Sequence, residues 1–344
     1  MFKGKKMFVL TLIVVLGMVL AAGCGGGEKT SNSSGGGSSA KEETMNIKVG
    51  HVLAPTHPYH AGLEKFAELV AEKTGGKVKV DVFHSSQLGN EREMIEALQM
   101  GTLDMTLVST APLSGFSNAF LVFDLPYIFK TREDAYKVLD GEIGTEILNS
   151  LENNGIKGLA YWENGFRNVT NSRRPVVHPS DMKGMKIRTM ENKIHMASFR
   201  VIGADPTPMA FGELFTALQQ QTVDAQENPL PIIYTSNFFE VQEHLALTGH
   251  FYAAAPLLIS KQLWDSLSPE IQNAIQEAAI EARDFERKTV SEMDANLLET
   301  LKEKGMKVTE VDKEEWRQAM MPVYKEFESE IGADVIQKVL DAQK

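Results

Sequence analysis

The chain has 344 residues, of which 43% are hydrophobic and 24% are charged, and its formal net charge is -11. A chain of this length and composition can fold into two globular domains, so disorder of its main body is excluded. The acidic balance argues against nucleic acid as a partner, and an anionic ligand would need locally concentrated arginine.

Residues 1–23 are predicted to form a lipoprotein signal peptide. Three lysines precede the apolar run from Met7 to Leu20, and this run is shorter than the roughly 20 residues of a membrane span. The sequence AAGC follows and ends at Cys24, the only cysteine of the chain, so no intrachain disulfide can form. Small residues before a cysteine in this position resemble a bacterial lipoprotein cleavage site, at which Cys24 would be lipidated. The alternative is an ordinary secretory signal with an incidental cysteine.

The segment after the predicted signal, residues 24–44, is rich in glycine and serine. It contains no apolar residue able to anchor it in a core, which is typical of a flexible linker. Together the two segments predict an extracytoplasmic domain that is lipid-anchored to the cell membrane, either in a periplasm or at the outer face of the cytoplasmic membrane.

The first half of the main body alternates strand and helix patterns. Strand patterns occupy 45–53, 77–83 and 103–109, and helix patterns occupy 56–76 and 90–101. This β-α-β-α-β order is the signature of an open α/β sheet with right-handed crossovers. Ligands of such sheets bind beyond the carboxyl ends of the strands, where Ser109 is expected.

The second half repeats this organisation. Strand patterns occupy 156–164, 184–190 and 222–228, and helix patterns occupy 193–203 and 211–221. The pattern L-Q-x-x-T-x-D begins at both Leu98 and Leu218. Two α/β lobes of similar build are therefore predicted, with a cleft that could bind a small molecule and close around it. A long helix that has Ser268 as its N-cap continues to Gly305 and is expected to brace both lobes.

Polar side chains gather at the strand ends of the second half. Arg167 comes just after the first of these predicted strands, Arg188 lies near the end of the second, and Asn228 ends the third. A guanidinium group fits a carboxylate with two parallel hydrogen bonds, and an amide can add a neutral donor. The set therefore predicts a carboxylate-binding site. Phe211, at the start of a helix pattern, is either a lid over the ligand or a hydrophobic staple of that helix.

The sequence has no specific catalytic or cofactor-binding motif. It contains no G-x-S-x-G, no glycine-rich phosphate loop and no C-x-x-C. His57 and His60 have the spacing of two metal ligands on one helical turn, but nothing nearby in the sequence completes a set, which favours a loop histidine and a surface histidine. We therefore expect a binding protein, with no metal and no cofactor. An extracytoplasmic lipoprotein hydrolase is the competing class, and a sensory module for a membrane kinase is a third.

Several motifs together resemble one protein family. With Arg167 they are SSQLGNERE from Ser85, DMKGMKIR from Asp181, PTPMAF from Pro206 and QENP from Gln226. In this order they resemble the extracytoplasmic solute-binding subunit of tripartite ATP-independent periplasmic (TRAP) transporters, of the type that binds dicarboxylates and sugar acids. The resemblance extends from about Met45 to the C-terminus.

This resemblance implies a type II periplasmic-binding-protein architecture, with two α/β lobes, a central cleft and a long C-terminal helix across both. One lobe would comprise 45–164 with 254–293, and the other 165–253 with 294–344. The resemblance also implies a monomer that delivers its ligand to separate TRAP membrane subunits, where an ion gradient drives uptake.

By the same resemblance, Arg188 pairs with the ligand carboxylate, Arg167 is a second arginine of the site, and Asn228 matches the family's asparagine. Phe211 matches the aromatic residue that covers the ligand. Ser109 stands where sialic-acid-binding members have an acidic residue, which disfavours sialate.

The remaining pocket candidates are Glu91, His57 and Tyr252. Glu91 and His57 are suited to hydrogen bonds with hydroxyl groups, although each of these side chains could equally be solvated. A second arginine for a dicarboxylate is not obvious in the first lobe. These features favour a sugar acid such as a hexuronate over a C4-dicarboxylate or a 2-oxo acid.

Overall fold

The computed structural model describes residues 44–344 of the chain. The predicted signal peptide, Cys24 and nearly all of the predicted linker lie outside the described residues. The strands are β1 Met45–Gly50, β2 Val78–Phe83, β3 Met105–Leu107, β4 Ile156–Asn171, β5 Lys186–Thr189, β6 Asp205–Pro208, β7 Ala225–Asn228, β8 His244–Ser260 and β9 Lys307–Thr309.

Helices alternate with these strands along the chain and dominate its last third. They are α1 Pro58–Lys73, α2 Glu91–Gln99, α3 Thr110–Leu113, α4 Arg132–Leu139, α5 Glu142–Asn149, α6 Lys193–Val201, α7 Phe211–Gln219, α8 Leu230–Thr235, α9 Lys261–Ser266, α10 Pro269–Glu303, α11 Lys313–Met320, α12 Pro322–Ile331 and α13 Ala333–Asp341. The predicted α/β class is confirmed, and the first half shows the predicted order β1-α1-β2-α2-β3.

The strands form one mixed sheet in the order β2-β1-β3-β8-β4-β7-β5-β6, with β9 paired to β8. Pairing is parallel among β1, β2 and β3 and again among β5, β6 and β7. Between these two parallel groups, β8 and β4 pair antiparallel with each other, with β3 on one side and β7 on the other. The sheet thus consists of two parallel α/β parts joined by two long antiparallel strands.

The two long strands change register where the two parts meet. The pairing of β4 with β8 shifts between Glu163 and Gly165, and Gly165 has φ +113, a conformation that favours glycine. The prediction that Arg167 follows the end of its strand is therefore wrong, because β8 supplies hydrogen-bonding partners on both sides of this bulge and β4 continues to Asn171. The predicted lobe limits remain a prediction.

Two helices of the first part position the site. The apolar face of α1 buries Leu63, Phe66 and Val70 completely, as its periodicity predicts, and each such side chain contributes about 1.5–3 kcal/mol relative to exposure. Helix α2 begins with a capping box, in which Asn90 and Glu93 each bond the backbone N–H of the other.

The predicted long helix is present as α10, which begins after Ser268, whose Oγ accepts from the Ile271 N–H at 3.4 Å. It packs against α1, β4 and α8. Within residues 44–344, no helix combines the length and the apolar character that crossing a bilayer requires.

Candidate functional site

Both parallel parts of the sheet contribute residues to the lining of one inner cavity. Six of the predicted site residues line it: Arg188, Arg167, Asn228, Phe211, Ser109 and Glu91. The other lining residues are Val52, Leu53, Tyr59, Asn164, Met190 and Ile232.

Arg188 is a buried cation in the cavity lining. It lies on β5 and is 2% exposed. Its Nε and Nη2 both donate to the Met209 carbonyl, at 3.0 and 2.7 Å, and within residues 44–344 no carboxylate forms an ion pair with it. Burial, together with the neighbouring charge of Arg167, lowers the pKa of Arg188 to about 10, so the group is still a cation at neutral pH. A buried cation without a counter-ion is costly, which makes this position favourable for an anion.

Arg167, by contrast, is fully paired with a carboxylate. Its Nε and Nη2 donate to the two carboxylate oxygens of Glu227 at 2.5 and 2.8 Å. Nη2 also donates to Asn228 Oδ1 at 3.1 Å. Nη1 is buried and has no partner within residues 44–344. Both side chains of the Arg167–Glu227 pair are completely buried.

Glu227 stays ionised in this pair. Burial raises its pKa, but the Arg167 charge and the bond to His250 Nε2, 3.2 Å away, outweigh burial and hold the pKa of Glu227 well below its ordinary value. Arg167 therefore has an ion-pair partner, whereas Arg188 has none within residues 44–344, and the carboxylates of Glu227, Glu91 and Glu191 act on its charge only from beyond ion-pair distance.

Asn228 is held in place by a chain of amide bonds. Its Nδ2 donates to Gln226 Oε1 at 2.5 Å, and Gln226 Nε2 donates to Thr170 Oγ1 at 2.8 Å. These bonds cross from β7 to β4 and fix the orientation of the Asn228 amide, which retains one N–H that is not committed to Gln226.

The other polar wall of the cavity comes from the first part of the chain. Glu91, the first residue of α2, accepts from the Ser109 N–H at 2.7 Å, and Asn164 Nδ2 donates to Ser109 Oγ at 3.1 Å. Burial raises the pKa of Glu91, and the Ser109 bonds and the two arginine charges oppose that rise. Asn164 Oδ1 and the Tyr59 hydroxyl are buried without a partner within residues 44–344.

Tyr59 and Asn164 are cavity residues that the sequence reasoning missed. Tyr59 is in the first turn of α1 and Asn164 immediately precedes the Gly165 bulge. The bulge could have been suspected from Gly165 alone, but nothing in the local pattern shows that Asn164 meets Ser109.

Two predicted pocket residues lie outside the inner cavity. His57 is the N-cap of α1, and its Nδ1 accepts from the Tyr59 N–H at 3.2 Å, so it positions the first turn of α1. Tyr252 lies on β8 among aromatic rings, with centroids 5.3 Å from Phe166 and 5.8 Å from Phe129. Within residues 44–344, no group of three or more His, Cys, Asp and Glu side chains could hold a metal ion.

Phe211 is the first residue of α7 and is only partly buried. Its ring centroid lies 6.1 Å from that of Phe238, at an interplanar angle of 58°. With Met190 and Ile232 it forms the apolar lining contributed by the second part of the sheet. Its position is compatible with a cover over a ligand, and that role stays a prediction.

Comparison with known proteins gives one consistent relationship. The model of the family "Bacterial extracellular solute-binding protein, family 7" matches residues 49–330. A curated relative, the C4-dicarboxylate-binding protein DctB of Bacillus subtilis (strain 168), is 34% identical over 307 residues, which are 88% of this chain and 88% of the relative.

Solved structures agree with this relationship. The chain is 45% identical to a TRAP periplasmic solute-binding protein from Polaromonas sp. JS666 bound to D-erythronate, with a TM-score of 0.85 over 86% of this chain and 98% of that one. It is 40% identical to the sugar acid binding protein DctPAm from Advenella mimigardefordensis in complex with galactonate, again with a TM-score of 0.85, over 88% of this chain and 98% of that one.

Proposed function

Because the chain belongs to the bacterial extracellular solute-binding proteins of family 7, we propose that it captures a small organic carboxylate in the inner cavity and delivers it to separate TRAP membrane subunits driven by an ion gradient. The family confirms the prediction of a binding protein, in preference to a hydrolase. The observation that supports carboxylate binding most strongly is Arg188, a buried cation on the cavity without a carboxylate partner in residues 44–344.

In this proposal the ligand carboxylate is the missing counter-ion of Arg188. The Nη1 of Arg167 and the uncommitted N–H of Asn228 offer further donors to the same carboxylate. Each charge-assisted hydrogen bond of this kind is worth about 1.5–3 kcal/mol when it is sheltered from water. Phe211 covers the ligand from the apolar side.

The proposed ligand is a sugar acid such as a hexuronate. Two of the similar solved structures hold D-erythronate and galactonate, which are sugar acids. A C4-dicarboxylate is the alternative that the Bacillus subtilis relative supports, and a 2-oxo acid is a further one.

The capture step in this proposal is a closure of two lobes. The lobes would comprise 45–164 with 254–293, and 165–253 with 294–344. Strands β4 and β8 have three register shifts, and the middle one, between Glu163 and Gly165, supports this division because it falls where the two parallel parts of the sheet meet.

The protein works outside the cytoplasm as a monomer, and we propose that Cys24 carries the lipid that tethers it to the membrane. Metabolic labelling with a fatty acid should label the native protein and leave Cys24→Ala unlabelled. Release of the native protein without label would contradict the lipid tether and favour an ordinary secretory signal peptide.

A ligand panel tests the proposed function. Uronates, aldonates, succinate and a 2-oxo acid are each added to the purified protein, and its thermal unfolding is measured. At a ligand concentration one hundred times Kd, binding stabilises the native state by about 2.7 kcal/mol. No stabilisation by any carboxylate would contradict the proposal.

Arg188→Lys sharpens this test. Lysine keeps the charge but loses the planar fork, so the affinity for the bound carboxylate should fall about tenfold or more. The matched control is Arg200→Lys on the exposed side of α6, which should bind like the native protein. Equal affinities of the native protein and Arg188→Lys would show that the Arg188 guanidinium group does not bind the carboxylate.

A further inference from the structure

We propose that the first-part wall of the inner cavity selects ligands that carry hydroxyl groups on the carbons beyond the carboxylate, and that it rejects dicarboxylates. This wall consists of Tyr59, Glu91, Ser109 and Asn164. The inference rests on the proposed function and deepens it, since it names the chemistry of the rest of the ligand.

Asn164 and Tyr59 present polar atoms that require a partner. The Asn164 side chain donates to Ser109 Oγ at 3.1 Å, while its Oδ1 is buried and has no donor within residues 44–344. The Tyr59 hydroxyl, on a residue that is 1% exposed, lies beside the Ser109 side chain, which acts to lower its pKa, and it makes no hydrogen bond of standard geometry within residues 44–344. Buried polar atoms are nearly always hydrogen-bonded to protein or to ordered water, so a ligand that displaces water from these atoms binds best when it replaces the bonds.

A carboxylate cannot supply what the amide oxygen needs. Asn164 Oδ1 only accepts hydrogen bonds, and an ionised carboxylate only accepts them as well. A hydroxyl group both donates and accepts, so it can bond Asn164 Oδ1 and Tyr59 Oη in the same complex. An aliphatic chain would leave both atoms unpaired, and a site with buried polar groups discriminates strongly against such a ligand.

The charges of the cavity lead to the same conclusion. Among the described lining residues, Arg167 and Arg188 are the cations, and Arg167 already pairs with Glu227. One ligand carboxylate therefore uses the free charge of Arg188. A second carboxylate would lie beside the Glu91 carboxyl group without a cation of its own, and two carboxyl groups in a sheltered site cannot both be ionised without cost.

The native protein provides the first test, by titration calorimetry with four probes: D-erythronate, galactonate, butyrate and succinate. Erythronate and butyrate have chains of four carbons and differ in their hydroxyl groups, so erythronate should bind about 100-fold more tightly or better. Erythronate should likewise bind more tightly than succinate. If succinate or butyrate binds as tightly as erythronate, the inference is wrong while the proposed function stands. If no probe and no other carboxylate binds, the proposed function itself fails.

Two variants assign the selection to named residues. Asn164→Leu keeps the size but removes the acceptor Oδ1 together with the Nδ2 that donates to Ser109 Oγ. The affinity for erythronate should fall by about tenfold or more, and the affinity for butyrate should stay unchanged or rise. Glu91→Gln keeps an acceptor for the Ser109 N–H and removes the charge, so it should narrow the preference for erythronate over succinate by about tenfold. Glu96→Gln on the same helix α2, outside the cavity lining, is the control and should keep the native preference. Native selectivity in both variants would overturn the assignment.

Discussion

Two clusters of charged and polar side chains lie on either side of the Gly165 bulge and differ in how their arginines are paired. The helix cluster comprises Arg132, Tyr136, Asp140, Glu163, Glu286, Arg287 and Asp294, and the cavity cluster comprises Arg167, Arg188, Glu227 and His250. In the helix cluster Arg132 contacts Glu163 and Asp294, each at 2.6 Å, and Arg287 donates to both oxygens of Asp140 at 2.6 and 2.9 Å. In the cavity cluster Arg188 has no such partner within residues 44–344.

The difference separates structural ion pairs from a binding site. The helix cluster ties β4 to α4 and α10, because the Tyr136 hydroxyl and Arg132 both donate to Glu163, whose backbone N–H donates to Glu286 at 3.0 Å. Its cations need no ligand. Buried nitrogens without a partner within residues 44–344 occur in both clusters, Arg167 Nη1 in one and Arg287 Nε in the other. What distinguishes the cavity cluster is a cation without an ion-pair partner, Arg188, which is the arrangement expected where a ligand completes the pairing.

The largest effect on stability should follow from the paired arginine of the cavity cluster. Arg167→Met leaves the Glu227 charge buried without its partner, so the free energy of unfolding without ligand should fall by about 3–5 kcal/mol. Urea unfolding measures this change. A loss below about 1 kcal/mol would mean that the Arg167–Glu227 pair contributes little to the fold.

A smaller loss should follow in the helix cluster. Arg132→Met removes a partner of the buried Glu163, but Arg132 itself is 22% exposed, so the loss should be roughly 2–3 kcal/mol. Ligand affinity should stay native, because Arg132 does not line the cavity. Arg92→Met, which breaks an exposed pair with Glu96, is the control and should be almost neutral. A large loss of ligand affinity in Arg132→Met would show that the helix cluster also contributes to binding, which would contradict the distinction between the two clusters.

Glu286 gives the helix cluster its own pH dependence. Burial, and secondarily the charge of Glu163, raise the pKa of Glu286 well above its ordinary value of 4.5. The folded state keeps this proton while the unfolded state loses it above about that value, so the contribution of Glu286 to stability is present below pH 4.5 and declines as the pH rises.

Glu286→Gln removes this dependence, because glutamine imitates the protonated form. The variant should gain stability over the native protein by up to about 1.4 kcal/mol for each pH unit above the ordinary pKa. Unfolding in urea between mildly acidic and neutral pH measures the difference. Parallel pH profiles of the two proteins would show that Glu286 is ionised in the fold.

Local patterns predicted much of this architecture. The apolar periodicities of α1 and α2 and the N-cap Ser268 of α10 gave the helices, and the positions of Arg188 and Asn228 at strand ends placed them on the cavity. These features depend on residues a few positions apart, which is why one sequence suffices to find them.

The missed features depend on distant parts of the chain. Strand β4 continues through Gly165 because β8 pairs with it on both sides of the bulge, and a glycine alone does not show whether a strand ends or bulges there. The sequence could not separate Arg167 from Arg188 either, since Glu227 meets one and not the other through sheet pairing. His57 was expected in the pocket, but its ring caps α1 instead.

The most direct test of the account compares stability and affinity in Arg188→Met. The substitution removes an uncompensated buried charge together with two bonds to the Met209 carbonyl, so the free energy of unfolding without ligand should change by less than about 2 kcal/mol. The affinity for galactonate, measured by calorimetry on the same sample, should fall by about 100-fold or more. Native affinity in a stably folded Arg188→Met protein would contradict the claim that Arg188 receives the ligand carboxylate.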